Sequence, residues 1–265
     1  MMRFEHKKSL GQNFLNSDYV PKKMCDAAQV SENDSVLEIG PGTGALTREL
    51  LARGASVIAL EADPRAVEVL TDSFATEIKT GQLLLKHTDA REYDPVALGL
   101  INQEFKVVAN IPYYLSGLLL RSCLDTKTQP NTLVFLMQKE LVERIAREPK
   151  ESLLSLSVKA FGIPTYICTI KRGHFTPAPK VDSAILLVSD ISHRNFSQLS
   201  NEHFFTLLHA GFGQKRKQLQ HNLRQIYEKD AVFDALRTVG LPESVRAEDV
   251  SLQNWLTLAQ ILETQ

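Results

Sequence analysis

The sequence predicts an α/β fold, a Rossmann-like sheet of mainly parallel strands, followed by a small all-helical domain. From about residue 18 to 138, short apolar runs typical of buried strands alternate with amphipathic helical patterns. A glycine-rich turn joins the first of these runs to the helix that follows it. Beyond Ile191 the hydrophobic periodicity becomes helical and stays so through Leu262. With 265 residues, of which 43% are hydrophobic, the chain is long enough to bury a large core in one or two domains.

Changes in the strand and helix patterns along the sequence divide the chain into three segments. We predict an N-terminal arm over 1–17, an α/β domain over 18–191 and a helical domain over 192–265. A first helix is expected through Met24 and Ala27. Strand-like segments from Thr165 and from Ala184 are expected to close the sheet, and Ala184–Val188 is predicted to be an antiparallel edge strand.

The glycine-rich turn predicts a ligand site. The apolar run Val36–Ile39 enters Gly40-Pro41-Gly42-Thr43-Gly44, and a helical pattern follows. Such a turn lets backbone N–H groups approach a ligand closely. Because Gly40, Gly42 and Ala45 also satisfy the dinucleotide fingerprint, the turn predicts an adenosine-type ligand without separating a nicotinamide cofactor from S-adenosylmethionine.

Two acidic residues follow the next two predicted strands. Glu61 ends the run Ser56–Leu60, and a carboxylate at about 20 residues beyond the glycines can bind both hydroxyls of a ribose. Asp89 follows the third strand and could accept the adenine amine of a bound cofactor. The structural alternative is a solvated acid or a helix cap, and Asp63-Pro64 is a plausible helix start. The order of turn and acids at successive strand ends favours binding, because open α/β sheets bind ligands at that edge.

The fourth predicted strand, Phe105–Ala109, leads into Asn110-Ile111-Pro112-Tyr113. An Asn carboxamide can accept a hydrogen from an amine. Pro112 has no backbone N–H and a fixed φ, so the carbonyl of Ile111 is held in one direction. With the flat face of Tyr113, these groups predict a receptor for a planar ring that carries an exocyclic NH₂, such as a nucleobase. The alternative is an ordinary polar turn with Tyr113 in the core.

Four segments taken in order resemble the rRNA adenine N6,N6-dimethyltransferases, and most closely the bacterial members that act on small-subunit rRNA. These segments are Gly11-Gln12-Asn13-Phe14-Leu15, Leu37 to Gly44, Asn110 to Tyr113, and Phe175 to Ser183. The likeness extends from about Lys7 to the C-terminal helices. It implies a seven-stranded class I methyltransferase sheet, S-adenosyl-L-methionine as the cofactor, S-adenosyl-L-homocysteine as its product, and no metal.

The resemblance also implies roles for single residues. The residues implied to contact the cofactor are Asn13, Leu15, Gly40, Gly42, Glu61, Asp89 and Asn110. Tyr113 and Phe175 would sandwich a flipped-out target adenine, with Asn110, Tyr113 and Phe175 forming the catalytic set and Pro112 and Lys180 contacting RNA. For Phe175 the alternative is a core aromatic, although the loop with Pro177 and Pro179 that follows favours the edge of a pocket.

The chain departs from the family pattern at three places. Tyr114 stands where the family usually has Asn, and Leu153-Leu154-Ser155 precede Leu156-Ser157-Val158, where the family usually has Tyr-Gly before a strand. The N-terminal tail is short and carries Glu5. All three departures concern the fit of the substrate.

Charge points to RNA only locally. The net charge is −1, which gives no global nucleic-acid signature. Between Gly211 and Arg224 there are cations and no acids, and we expect Lys215, Arg216 and Lys217 at a helix start, where the helix dipole disfavours cations. A phosphate ligand would explain that placement; a solvated helix face is the alternative. Together with Lys7, Lys8, Arg172 and Lys180 these residues could form a positive track.

Other features exclude whole classes of function. The three cysteines are far apart and the seven histidines lack metal-ligand spacing, which predicts neither a disulfide frame nor a zinc site. No apolar run is long enough to span a membrane and the start of the sequence lacks a signal-peptide pattern, so a cytoplasmic protein is expected. The sequence shows no sign of an oligomer interface, and we expect a monomer.

The resemblance predicts dimethylation of N6 on two adjacent adenines near the 3′ end of 16S rRNA, in the small ribosomal subunit or its precursor, with a role in ribosome biogenesis. A non-catalytic RNA-binding assembly factor is one alternative. An adenine N6-methylase acting on large-subunit rRNA or on DNA is another. A nicotinamide oxidoreductase would leave the segment from Asn110 to Tyr113 unexplained.

Overall fold

The computed structural model describes residues 13–263 and contains the predicted seven-stranded sheet. The strands are β1 (Phe14–Leu15), β2 (Ser35–Ile39), β3 (Ser56–Glu61), β4 (Leu83–His87), β5 (Phe105–Asn110), β6 (Thr132–Gln138), β7 (Ile163–Ile170), β8 (Phe175–Thr176) and β9 (Ser183–Ser189). The helices are α1 (Tyr19–Ala27), α2 (Ala45–Ala52), α3 (Pro64–Ser73), α4 (Ala75–Thr80), α5 (Ser116–Leu124), α6 (Lys139–Ala146), α7 (Leu153–Lys159), α8 (Asn201–Gly211), α9 (Leu219–Leu223), α10 (Lys229–Thr238) and α11 (Leu252–Glu263). Most of the predicted arm over 1–17, including Lys7, Lys8, Gly11 and Gln12, lies outside the described residues.

The sheet has the strand order β4-β3-β2-β5-β6-β9-β7, and β1 pairs with β8 in a separate two-stranded sheet. The five strands β2 to β6 form a parallel sheet. Strand β9 is antiparallel to both of its neighbours, β6 and β7. From β2 the chain proceeds to β3 and β4 on one side and continues with β5 and β6 on the other. This reversal of strand order beside β2 is the place where open α/β sheets bind ligands.

The predicted edge position of the last strand is wrong. β9 is antiparallel as expected, but it lies between β6 and β7, and β7 is the edge. Its inner residues Ala184, Ile185 and Leu186 are fully buried. Pro177 and Pro179 precede the strand, so its own residues keep the backbone N–H groups that pair with β6 on one side and β7 on the other.

The described residues divide into two units. One comprises the chain up to Glu143 with Ile163–Ile191, and the other comprises Arg144–Gly162 with the chain from Ser192 onward. The sequence analysis had assigned 144–162 to the α/β domain, whereas in the structure this segment belongs with the C-terminal helices. The backbone N–H of Glu151 donates to the carbonyl of Glu248 at 2.8 Å, a contact between distant parts of the sequence that no local pattern reveals.

The second unit is helical, as predicted, and one segment in it corrects the expectation taken from the family pattern. Leu156-Ser157-Val158 lies in helix α7 and not in a strand. The hydroxyl of Ser152 accepts the N–H of Ser155, and the hydroxyl of Ser155 accepts the N–H of Ser152. This reciprocal capping box satisfies two N–H groups at the helix start and favours the helix.

Trp255 is at the centre of this helical unit and is fully buried. A Cβ added at Gly211 would lie 2.3 Å from the indole ring, so only glycine allows this close approach of α8 and α11. None of the helices within residues 13–263 is both long enough and apolar enough to span a bilayer.

Candidate active site

One cavity in the α/β unit collects the predicted site residues at the carboxyl ends of β2, β3 and β5. Every residue predicted to contact the cofactor lines it, and so does the whole base-binding segment from Asn110 to Tyr113. The lining residues that were predicted are Asn13, Leu15, Gly40, Gly42, Glu61, Asp89, Asn110, Ile111, Pro112 and Tyr113. The segments are far apart in sequence and meet because parallel strands end at the same edge of the sheet. Phe175, Lys180 and Lys215–Lys217 lie elsewhere.

The glycine turn is held in place by Glu61. Gly42 has φ +59°, and a Cβ there would lie 2.8 Å from the ring of Phe14, so both conformation and space demand glycine. The N–H of Gly42 donates to one carboxyl oxygen of Glu61 at 3.0 Å, and the N–H of Asp63 donates to the other at 2.9 Å. Burial raises the pKa of Glu61, while these backbone hydrogen bonds lower it in part. The carboxyl group therefore joins the turn after β2 to the end of β3.

The helix-start prediction at Asp63-Pro64 is confirmed. The Asp63 carboxylate accepts the N–H of Arg65 at 3.1 Å, and Pro64 occupies the first turn of α3, where its missing N–H is not needed.

Asp89 is a cap, as the structural alternative predicted, and it also lines the cavity. Its carboxylate caps a short 3₁₀ turn by accepting the N–H of Arg91 at 2.9 Å. The Arg91 guanidinium also lies 2.6 Å from the second oxygen, and this partner holds the pKa of Asp89 below its ordinary value. The group is thus fixed in direction by Arg91 and borders the cavity.

Asn110 presents an acceptor to the cavity. Its amide nitrogen donates to the backbone carbonyl of Asn13 at 3.2 Å, which sets the orientation of the amide. The amide oxygen is then the atom of this group that can accept a hydrogen bond from a ligand. Pro112 follows with φ −57°, and its carbonyl accepts the N–H of Leu115 at 3.0 Å. The turn that carries Tyr113 is therefore rigid.

The structure does not bring Phe175 to this cavity. Its side chain is 3% exposed and belongs to the hydrophobic core. The backbone of Phe175 supports the site instead. Strand β8 pairs with β1, so that Leu15 lies opposite Phe175 and Phe14 lies opposite Thr176. That pairing places Asn13 and Leu15 at the cavity.

Residues to which the sequence analysis gave no role in binding also line the cavity, among them Phe14, Glu38, Arg91 and Tyr114. Of these, Glu38 is 1% exposed, and its two carboxyl oxygens have no hydrogen-bond partner within residues 13–263. A carboxyl inside a buried parallel strand is unusual. The acid within the apolar run Val36–Ile39 was thus a signal that could have identified this residue.

Glu38 gives a testable pH dependence. Burial raises the pKa of this carboxyl from 4.5 to about 8, Thr47 lowers it in part, and the negative charge of Glu61 raises it again. A raised carboxyl pKa contributes stability below the unfolded value and loses it as pH rises through the folded value. We expect urea unfolding of the ligand-free protein to show a loss of about 1 kcal/mol per pH unit between about pH 5 and 8.

Glu38→Gln should flatten this slope, leaving the smaller part that comes from Glu61, whose pKa is raised in the same direction. Glu68→Gln, at an exposed position of α3, is the matched change and should leave the slope as it is. Parallel pH profiles for wild type and Glu38→Gln would contradict the assignment.

The basic residues predicted to bind RNA lie outside the cavity. Lys215–Lys217 are exposed in a turn, and α9 begins two residues later with Gln218 as its N-cap. The expectation of cations at a helix start is therefore wrong, and the helix-dipole argument for a phosphate is lost. Lys180, with Lys171 and Arg172, borders a separate surface depression.

Asp182 organises this second basic group. Its carboxylate accepts hydrogen bonds from the Lys171 ammonium at 3.0 Å and from the backbone N–H of Arg172 at 3.1 Å.

Within the described part of the chain, no three His, Cys, Asp or Glu side chains are grouped so that they could hold a metal ion.

Comparison with known proteins agrees with this geometry. The profile of the family described as Ribosomal RNA adenine dimethylase matches residues 3–264. Ribosomal RNA small subunit methyltransferase A of Dehalococcoides mccartyi is 36% identical over 255 residues, which cover 95% of this chain and 87% of that protein.

Solved structures show the same fold. A dimethyladenosine transferase from Plasmodium falciparum is 25% identical with a TM-score of 0.78, over 92% of this chain and 95% of the other. The 23S rRNA methyltransferase ErmE is 24% identical with a TM-score of 0.72, over 95% of this chain and all of the other. The predicted class I methyltransferase fold is thus confirmed, and the chain belongs to the ribosomal RNA adenine dimethylase family.

Proposed function

We propose that this protein transfers methyl groups from S-adenosylmethionine to N6 of two adjacent adenines near the 3′ end of 16S rRNA, in the small ribosomal subunit or its precursor, as a step of ribosome biogenesis. The observation that carries this proposal is the single cavity in which the glycine turn, Glu61 and Asp89 meet Asn110 and Tyr113. The similarity to a small-subunit methyltransferase supports the choice of RNA.

The cavity fits this cofactor. S-adenosylmethionine carries a sulfonium and an ammonium, and it supplies an electrophilic methyl group. Glu38, buried without a hydrogen-bond partner in the described residues, offers a carboxyl to a cationic ligand. Glu61 offers acceptors for ribose hydroxyls, and Asp89 offers one for the adenine amine. Asn13 and Leu15 line the same cavity and are proposed to contact the cofactor from β1.

Asn110 and Ile111 are proposed to activate the target amine. The N6 lone pair of adenine is delocalised into the ring and is a poor nucleophile. Hydrogen bonds from its two N–H groups to the Asn110 amide oxygen and the Ile111 carbonyl would favour a pyramidal nitrogen with an available lone pair. The N–C bond would form as the S–C bond breaks, S-adenosylhomocysteine would leave, and the extra proton on N6 would pass to solvent water. Positioning supplies most of the rate effect, because the methyl group is already electrophilic.

Tyr113 is proposed to stack on the extruded adenine, which offsets the cost of unstacking by about 1–3 kcal/mol. Phe175 is proposed to stack on the other face of the same adenine. Since its ring is 3% exposed here, it can take that part only after leaving the core. Pro112 would contact the same base from the rigid turn.

RNA phosphates are proposed to bind Lys180 and Lys215–Lys217. These cations are exposed, and phosphate contacts make affinity fall steeply with salt. Replacing Lys215–Lys217 by alanine should weaken binding to small ribosomal subunits and reduce the slope of log K against log salt concentration by about 2–3. Filter binding at several salt concentrations measures both quantities.

The charge-matched comparison replaces the exposed residues Lys79, Lys127 and Lys229 by alanine, and its salt slope should equal that of wild type. A slope unchanged in the Lys215–Lys217 variant would contradict the phosphate contacts.

The decisive test is transfer of labelled methyl from S-adenosylmethionine to small subunits that lack adenine dimethylation, with mapping of the modified bases. Label in N6,N6-dimethyladenine near the 3′ end of 16S rRNA is expected. Cofactor binding without transfer to this substrate would indicate a non-catalytic assembly factor or another nucleic acid such as large-subunit rRNA. We further propose that the protein acts as a cytoplasmic monomer, which sedimentation equilibrium of the free protein checks.

A further inference from the structure

Tyr113 is anchored at its hydroxyl by a residue outside the cavity. The Tyr113 hydroxyl lies 2.7 Å from the hydroxyl of Ser183, which is 70 residues away in sequence. Tyr113 lines the cavity, whereas Ser183 is fully buried and is not part of its lining. The ring therefore spans the distance between the cavity wall and the interior of the sheet.

Ser183 is a rigid anchor. It is the first residue of β9 and pairs with Gln138 of β6 on one side and Ile170 of β7 on the other. A residue held in register by strands on both sides cannot follow the movements of a loop. Its hydroxyl thus fixes the far end of the Tyr113 ring with respect to the sheet.

The near end of Tyr113 is fixed as well. Pro112 restricts the backbone before it, and the N–H of Leu115 closes the turn on the Pro112 carbonyl at 3.0 Å. Rotation of a tyrosine ring about its last torsion has only broad preferences when the hydroxyl is unbound. Burial raises the pKa of Tyr113, so the phenol stays protonated and is able to donate to Ser183.

We propose that Ser183 is a positioning residue for methyl transfer, because its hydroxyl sets the plane of the Tyr113 ring on which the target adenine stacks. The inference rests on the proposed function for the identity of the base. Ser183 touches neither RNA nor cofactor and acts through Tyr113. A ring free to tilt would place N6 less well with respect to the Asn110 amide oxygen, and so slow the chemical step while leaving the cofactor site as it is.

A double-mutant cycle tests this coupling. Ser183→Ala and Tyr113→Phe each remove one side of the hydrogen bond, and each should lower the single-turnover rate at saturating cofactor about threefold to tenfold, the range that one neutral hydrogen bond supports. The double variant should be no slower than the slower single variant, since the same bond is lost. Binding of S-adenosylhomocysteine should stay within about twofold of wild type in every variant, because the changes remove only hydroxyl groups of the Tyr113–Ser183 pair and leave the Tyr113 ring and the proposed cofactor contacts in place.

Two further variants separate positioning from structure. Ser183→Thr retains the hydroxyl and should recover most of the rate lost in Ser183→Ala. Ser189→Ala makes the same change at the other end of β9 and should keep the wild-type rate. Additive losses in the cycle, or a wild-type rate for Ser183→Ala, would overturn the proposal.

A measurement without substrate tests the Tyr113–Ser183 hydrogen bond independently of methyl transfer. Fluorine NMR of protein labelled with 3-fluorotyrosine resolves the ring of Tyr113 among the six tyrosines, with Tyr113→Phe identifying its signal. Ser183→Ala should narrow that signal as the ring gains freedom, and an unchanged linewidth would refute the anchor. Failure of wild type to transfer methyl groups would instead count against the proposed function.

Discussion

Asn110→Ala is expected to lower methyl transfer about 100-fold while most cofactor affinity survives. The amide nitrogen is already bound to the Asn13 carbonyl, so the oxygen is the part of the side chain that can receive the target amine. Alanine removes that acceptor and leaves N6 without its alignment toward the methyl group. The lost bond to Asn13 should loosen the start of β1 and weaken cofactor binding only a few-fold.

Single-turnover transfer to unmethylated small subunits, together with calorimetric titration of S-adenosylhomocysteine, separates these two effects. Asn131 provides the matched position, because its amide also donates to a backbone carbonyl, that of Gln103 at 3.1 Å, and it does not line the cavity. Asn131→Ala should transfer methyl groups at the wild-type rate. Turnover of Asn110→Ala within twofold of wild type would refute the proposed role of the amide oxygen.

The residues at the carboxyl ends of the parallel strands could be predicted from sequence, because strands are recognised from local patterns. Each strand was visible as an apolar run, and parallel strands must end together, so Gly40, Glu61, Asp89 and Asn110 were expected to converge and do line one cavity. The fold class followed from the same alternation of strands and helices.

What could not be predicted depends on contacts between distant residues. The Asn110 amide is oriented by Asn13, 97 positions earlier. Phe175 was expected at the cavity because of the prolines after it, yet the pairing of β8 with β1 and the core behind it bury the ring. Glu38 was overlooked because its neighbours made the strand look wholly apolar, and the fold shows that this residue lines the cavity.

Glu61→Ala is expected to weaken binding of S-adenosylhomocysteine about 100-fold, because two buried N–H groups lose their acceptor at about 1–3 kcal/mol each. Those N–H groups belong to Gly42 in the glycine turn and to Asp63 at the start of α3. The loss therefore acts on the shape of the turn as well as on the proposed ribose contact. Calorimetric titration measures the affinity, and Glu77→Ala, at a half-buried site in α4 that does not line the cavity, should bind as wild type does.

Glu61→Gln distinguishes charge from shape. The amide keeps one acceptor oxygen but turns an NH₂ donor toward one of the two backbone N–H groups, so we expect a loss smaller than in Glu61→Ala. Burial raises the pKa of Glu61, and only the ionised carboxylate accepts hydrogen bonds at both oxygens, so wild-type affinity should rise with pH across this titration. Glu61→Gln should lose that part of the rise. Equal affinity in Glu61→Gln and wild type at every pH would show that the carboxylate charge has no part in holding the cofactor.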